Sequence, residues 1–207
     1  EEGVTVIPRA TCYPYTARDS ATGNTIYSSS LKEVYLPASL VEIGEMAFAY
    51  MGTYTSGTLN TRFSDELRFT LPANGALKTL GRGAFYMSSV TNLTLPATLE
   101  EVGELCFAFC GKLANITFGN EKDGSALKTL GAASFVSCTG LDTMTIYKKV
   151  TTAADLPELV QFQPAEEVSY NVFENASIPR IYVYGVSLYQ KAPYWDAYDK
   201  QLFEIGS

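Results

Sequence analysis

The 207-residue chain carries 15 basic and 22 acidic side chains, a formal net charge of −7 and a pI near 4.7, which excludes capture of nucleic acid or an anionic membrane by a bulk positive field. Hydrophobic residues make up 46% and charged residues 18%, a balance that excludes global disorder and gives enough apolar material for one large domain or two small ones. With no histidine and only 4 cysteines, Cys12, Cys106, Cys110 and Cys138, a zinc site or imidazole-based catalysis is set aside, and the cysteine spacing is neither a paired metal motif nor a disulfide scaffold.

No apolar run approaches the roughly 18 residues of a membrane span. No secretion signal is visible in the sequence, which opens abruptly at Glu1-Glu2-Gly3, and removal of a leader and tether stays compatible with it. Val4-Thr5-Val6-Ile7-Pro8 alternates and ends in proline, so it reads as the strand of an incomplete first repeat. Residues 11–30 are rich in Ser, Thr, Gly and Tyr without helical period, which predicts a loop or irregular insertion and completes a first segment of 1–30.

From residue 31 one unit recurs: Leu36-Pro37-Ala38-Ser39-Leu40-Val41-Glu42-Ile43-Gly44-Glu45-Met46-Ala47-Phe48. It returns around Leu71-Pro72, Leu80-Gly81 and Ala84-Phe85, then Leu95-Pro96, Val102-Gly103 and Cys106-Phe107, then Phe118, Leu130-Gly131 and Ser134-Phe135. A period of about 22–23 residues lengthened by insertions predicts a solenoid. The insertions are Gly52–Asp65 and Gly119–Ser125, read as surface loops, and Thr151–Ser169. A last copy without the glycine is suggested by Val172-Phe173, Ile178, Ile181 and Val183.

Each part of the unit has a physical task. In Val34-Tyr35-Leu36 two apolar residues flank one between them, so both point to one face of a strand. Equivalent strands are expected at Phe69–Leu71, Leu93–Leu95, Ile116–Phe118, Met144–Ile146 and Ile181–Val183, stacked into a parallel sheet. Pro37, Pro72 and Pro96 end the strand, and Leu40 and Ile43 bring the chain back across the interior. Gly44 lets the backbone turn or approach its neighbour where a Cβ would obstruct. Ala47 is small where coils crowd, and Phe48 fills the middle. Repeats with insertions thus occupy 31–183. The segment 184–207 is the expected C-terminal cap, because Leu188, Tyr189, Ala192, Trp195 and Tyr198 have mostly helical spacing, interrupted at Pro193.

The LPxxLxxIGxxAF unit at Leu36–Phe48 resembles the BspA-like class of leucine-rich repeat proteins. Cys110 and Cys138 match the cysteine that often follows the AF pair in that class, with Met51 and Ser88 in its place elsewhere. The ending Ile181-Tyr182-Val183 followed by Leu188–Trp195 resembles the last repeat and cap. The resemblance covers roughly residues 31–205. It implies an α/β solenoid, a right-handed coil with one parallel sheet of about six or seven short strands and short helical or irregular segments opposite, forming a single domain over 1–207. It also implies a secreted or cell-surface bacterial protein that adheres to proteins or glycans.

Two rows on the exposed side of the sheet are the candidate binding surface. The middle strand residues are Tyr35, Thr70, Thr94, Thr117, Thr145 and Tyr182. The flanking residues are Glu33, Arg68, Asn92, Asn115, Thr143 and Arg180. Together they predict a shallow polar ladder bounded by tyrosines, although Thr and Tyr also simply suit exposed strands. Loop and strand-end tyrosines (Tyr13, Tyr15, Tyr27, Tyr54, Tyr147, Tyr184) offer amphipathic surface or edge packing.

Acid pairs at Glu42/Glu45, Glu100-Glu101/Glu104 and Glu166-Glu167 have the composition of a glycosidase or an incidental calcium site, but those near Gly44 and Gly103 occupy solvated repeat slots. Gly81-Arg82-Gly83 lacks the rest of a phosphate loop. Cys110 and Cys138 hold equivalent places in successive coils, within disulfide range or as buried free thiols. The sequons at Asn92, Asn115 and Asn175 follow from repetition or chance.

The expectation is a non-enzymatic recognition or adhesion module without cofactor, metal or catalytic residues. It would be monomeric and extracellular, and would bind a host or neighbouring-cell protein or glycan through the sheet face and loops. The alternative is a structural spacer presenting another domain.

Overall fold

Three stretches of each repeat hydrogen-bond to the same three stretches of the next, so the chain winds with three bonded sides. The computed structural model describes residues 3–12, 14–18, 20, 25–28, 31–52, 54–55, 66–161, 171–176 and 180–206. Glu166, Glu167 and Ile178 lie outside the described residues, as do Tyr13 and the side chains of Tyr15, Tyr27 and Tyr54.

The first side is the expected broad sheet. Strands Glu33–Tyr35, Arg68–Thr70, Asn92–Leu95, Asn115–Phe118, Thr143–Ile146 and Arg180–Val183 follow one another along it, with every ladder parallel. Leu202–Glu204, near the end of the expected cap segment, adds a further parallel strand next to Arg180–Val183. Between Arg68–Thr70 and Asn92–Leu95 the described ladder thins to the bridge Leu67–Val90. Alternation decides the faces: Leu93, Leu95, Ile116, Phe118, Met144, Ile146, Ile181 and Val183 are buried, while the residues between them reach solvent.

The second side is also a parallel sheet, built from two-residue strands at Val6–Ile7, Glu42–Ile43, Thr79–Leu80, Glu101–Val102, Thr129–Leu130 and Glu158–Leu159. Two expectations are corrected here. Val6–Ile7 pairs with Glu42–Ile43, so the alternating, proline-ended first segment supplies this side of a coil and not a strand of the broad sheet. The Ile7 carbonyl accepts from Gly44 N–H at 2.7 Å, and Pro8 stands where later coils have glycine. Its missing N–H is one that would point away from Glu42–Ile43. Glu158–Leu159 comes from the stretch read as an insertion, because it is what reaches the open edge of Thr129–Leu130.

The third side is a run of turns in which alternate N–H groups point along the solenoid axis. Met46, Phe48 and Tyr50 donate to the carbonyls of Arg82, Ala84 and Tyr86, while Ala47 and Ala49 donate back to Gly44 and Met46 within their own turn. Two left-handed residues per coil produce this alternation: Met46, Leu105 and Ala133 in one row, and Tyr50, Met87, Phe109 and Ser137 in the other. A left-handed non-glycine residue is unfavourable by itself, and Met46, Tyr50, Met87, Leu105, Phe109 and Ser137 are each held by an inter-coil hydrogen bond from their N–H that the conformation makes available.

Inside, the repeat's phenylalanines form one column. Phe48–Phe85, Phe85–Phe107, Phe107–Phe135 and Phe135–Phe173 stack at centroid separations of 5.6, 5.3, 5.2 and 5.6 Å. Phe173 confirms that the copy without its glycine is a true coil. The glycines serve close approach and not turning. A Cβ on Gly81 would sit 2.7 Å from Glu45 N, and one on Gly103 2.7 Å from the Gly81 carbonyl carbon.

Among the described residues helix is short: a 3-10 turn at Ala153–Asp155, and in the cap Val186–Tyr189 and a 3-10 segment over Asp196–Gln201. Trp195 is buried there and donates its indole N–H to Pro157 O at 2.8 Å. The insertions at 11–30 and 52–65, expected as loops, contribute strands Tyr15–Arg18, Thr25–Ser28 and Tyr54–Thr55 that pair antiparallel. Two segments remote in sequence complete each other's backbone bonding there, which neither encodes alone.

Candidate functional site

The outer face of the broad sheet is positioned by the inward residues beneath it. Because Leu93, Ile116, Met144 and Ile181 are locked in the core, the neighbours on each strand must face out. The middle row runs Tyr35–Thr70 across one ladder, then Thr94–Thr117–Thr145–Tyr182–Phe203 across the others. Tyr35 is 72% exposed and Phe203 39%, so an aromatic ring stands at each end. Tyr182 and Phe203 lie 5.6 Å apart, ring to ring. Phe203 belongs to a strand outside the repeat pattern, and no periodic signal announced it.

The flanking row behaves differently. Glu33 pairs with Arg68 at 3.8 Å, and Arg68 also approaches Glu66 at 3.9 Å. Asn115 donates its Nδ2 hydrogen to Asn92 Oδ1 at 2.7 Å, a rung of an amide ladder. Thr143 donates to Asp142, and the Arg180 guanidinium reaches the same carboxylate at 3.4 Å. The structure therefore brings all the anticipated residues to one face but engages the flanking polar groups with one another. Glu66 and Asp142, which share in these contacts, were not anticipated. At the face's tip, Tyr35 donates its hydroxyl to Glu33 at 3.1 Å. That bond, reinforced by the carboxylate's charge, raises the phenol's pKa. The Arg180 pKa is raised by hydrogen bonding with Tyr182 and then by the charge of Asp142.

Of the acid pairs with the composition of a glycosidase, Glu45, Glu100 and Glu104 are spread along the coils in ion pairs. Glu45 meets Arg9 at 3.6 Å, and Glu104 meets Arg82 at 3.4 Å. Glu100 lies between Lys78 and Lys128, whose hydrogen bond and charge lower its pKa. Among the described residues no three His, Cys, Asp or Glu side chains group as metal ligands, and no helix is long and apolar enough to cross a membrane. The four cysteines are free. Cys110 and Cys138 donate their thiol hydrogens to the carbonyls of Phe85 and Phe107, each at 3.0 Å, closing the seam between coils.

The sequence profile of the BspA type Leucine rich repeat region matches six copies, over residues 20–65 and 63–157, which is more than half of the chain. No curated protein matches significantly. Among solved structures, the crystal structure of the pneumococcal vaccine antigen PcpA is similar with a TM-score of 0.59 and 20% identity, over 88% of this chain. The similarity spans 36% of the PcpA chain, and at that identity it is a likeness of fold.

Proposed function

The chain belongs to the BspA-type leucine-rich repeat family, and from that premise we propose that it is a non-enzymatic recognition module of a secreted or cell-surface bacterial protein. It holds an extracellular protein or glycan of a host or neighbouring cell against the outer face of the broad sheet. The observation that carries this reading is the in-register row Thr94–Thr117–Thr145–Tyr182–Phe203. Threonine methyls and hydroxyls spaced about 4.8 Å apart form an open shelf with rigid aromatic surface at its end, of the kind that binds at low entropic cost. Solenoids offer such extended surfaces as a consequence of stacking. The self-paired flanking row gives the shelf a rigid polar border, so the ligand's main contacts fall on the Thr and aromatic row.

The test is a screen of the purified protein against immobilised extracellular-matrix proteins, plasma proteins and glycans, followed by Thr94→Lys, Thr117→Lys and Tyr35→Glu. The combined variant should weaken the identified interaction at least about tenfold, with an unchanged melting curve because all three side chains face solvent. Undiminished binding by that variant would remove the sheet face from the reading.

A further inference from the structure

The turn side carries a second surface with its own periodicity. The residue that follows the glycine position is Arg9, Glu45, Arg82 and Glu104 in four successive coils, whose order is fixed by the bonds Ala10 N to Glu45 O, Met46 N to Arg82 O and Gly83 N to Glu104 O. Sign alternates along this row, so like charges recur every second coil, about 9.6 Å apart at the spacing of parallel strands.

Beside the row, Met46, Tyr50, Arg82, Gly83, Tyr86 and Leu105 line a hollow of about 200 Å3. It exists because Gly83 presents no side chain where the coils on either side present Met46 and Leu105. Aromatic rings continue along the same direction: Tyr50 and Tyr86 stand edge to face at 5.4 Å, and Tyr86 and Phe109 at 5.7 Å.

We propose that this groove binds a basic, proline-rich segment of a partner protein in the polyproline II conformation. Such a segment rises about 3.1 Å per residue with three residues per turn, so it repeats about every 9.3 Å, close to the two-coil period of the glutamates. A Lys or Arg at every third residue then competes with Arg9 and Arg82 for Glu45 and Glu104, whose exposed pairs at 3.6 and 3.4 Å are weak and exchangeable, while proline rings lie on the aromatic line and one enters the Gly83 hollow. An α-helix repeats about every 5.4 Å and an extended strand about every 6.8 Å, and neither keeps step with the charges. Aromatic-lined grooves are the usual receptors for this conformation, which is ordered before it binds. The protein's net charge of −7 favours approach of a basic ligand. The groove lies on a different side from the sheet face, so this inference and the proposed function stand or fall separately.

The experiment is fluorescence anisotropy with a labelled peptide of three Pro-Pro-Lys repeats. Gly-Ser-Lys repeats of equal length and charge, and Pro-Pro-Glu repeats, serve as comparisons. The Pro-Pro-Lys peptide should bind at least about tenfold more tightly than either. Gly83→Leu, at a backbone angle that Met46 and Leu105 already hold, pushes aside the Met46 sulfur that lies 2.5 Å from the position of its Cβ and fills the hollow, so it should weaken binding at least about tenfold. Should that variant fail to fold, Glu45→Lys with Glu104→Lys provides an independent arm, and it should weaken Pro-Pro-Lys and strengthen Pro-Pro-Glu. No binding up to about 1 mM, equal binding of the Gly-Ser-Lys peptide, or an affinity untouched by these substitutions would overturn the proposal. Loss of peptide binding in the sheet-face variant, with the turn-side variants unaffected, would also overturn it and leave the sheet-face reading standing.

Discussion

Gly83 and Gly103 show why a glycine must be judged by what surrounds it. Gly83 has the left-handed backbone usually taken as the reason for glycine, with φ of 59°. Yet Met46, Leu105 and Ala133 hold the same conformation at the same repeat position. A Cβ at Gly83 meets the flexible end of Met46, whereas a Cβ at Gly103 would lie 2.7 Å from backbone of the adjacent coil. Gly103→Ala should therefore cost about 2–3 kcal/mol through overpacking. Gly83→Ala should cost about 1 kcal/mol, the left-handed penalty alone. Urea unfolding midpoints of the two variants give the comparison directly, and the reverse ranking would contradict the close-approach role. The repeat pattern left two roles open for Gly44, turning and close approach, and the packing of the coils selects the second. The pattern missed the double row of left-handed residues, because Met, Tyr, Leu and Phe carry no signature of that conformation.

At the scale of the repeating element, the seam between coils is closed by thiols as well as by stacked rings. Burial pushes the Cys110 thiol up to about 12, and burial first, then the nearby Cys110 charge, raises Cys106 and Cys138 well above the ordinary thiol range. In the unfolded chain these groups ionise near their ordinary value, so above it the unfolded state binds fewer protons than the folded one. Stability is thus fully present below about pH 9 and declines as pH rises toward 12. The measurement is unfolding free energy between pH 8 and pH 10.5. The decline should become shallower in a Cys110→Ser, Cys138→Ser variant, since Ser88 already occupies the equivalent slot beside the Cys110 sulfur. An identical pH slope in that variant would show that the thiols do not govern it.

For the whole molecule the question is whether coils, cap and terminal strand unfold together. The cap places the chain's single tryptophan, Trp195, against Tyr189 at 4.9 Å and against the last member of the ring column, Phe173, at 6.4 Å. Leu202–Glu204 then bonds to the broad sheet. With nearest-neighbour contacts running unbroken along the column, a stack this short should melt as one unit. Trp195 fluorescence, reporting the C-terminal end, and far-UV circular dichroism, reporting all strands, should give coincident urea transitions. An earlier fluorescence transition would identify the cap as an independently opening unit.

What the sequence determined by itself was everything that faces inward and repeats. Leu40, Ile43, Gly44, Ala47 and Phe48 each pack against their own counterparts in the next coil, so one copy of the unit already states the environment of the others. The strand faces, the ring column and the outward row of the candidate site follow from that self-similarity. Tertiary structure alone decided the places where the period breaks. Glu158–Leu159 and Leu202–Glu204 are too short to show any periodicity, the alternation around Val6–Ile7 does not say which side of a coil it forms, and the hydrogen-bonding edge left open by a neighbouring coil selected the partners of all three. It also decided that the polar row beside the threonines is occupied by pairs such as Asn92–Asn115 and Asp142–Arg180, and that an absent side chain at Gly83 leaves a hollow on the turn side. Both depend on which side chains neighbouring coils bring together, a relation between copies that no single copy contains.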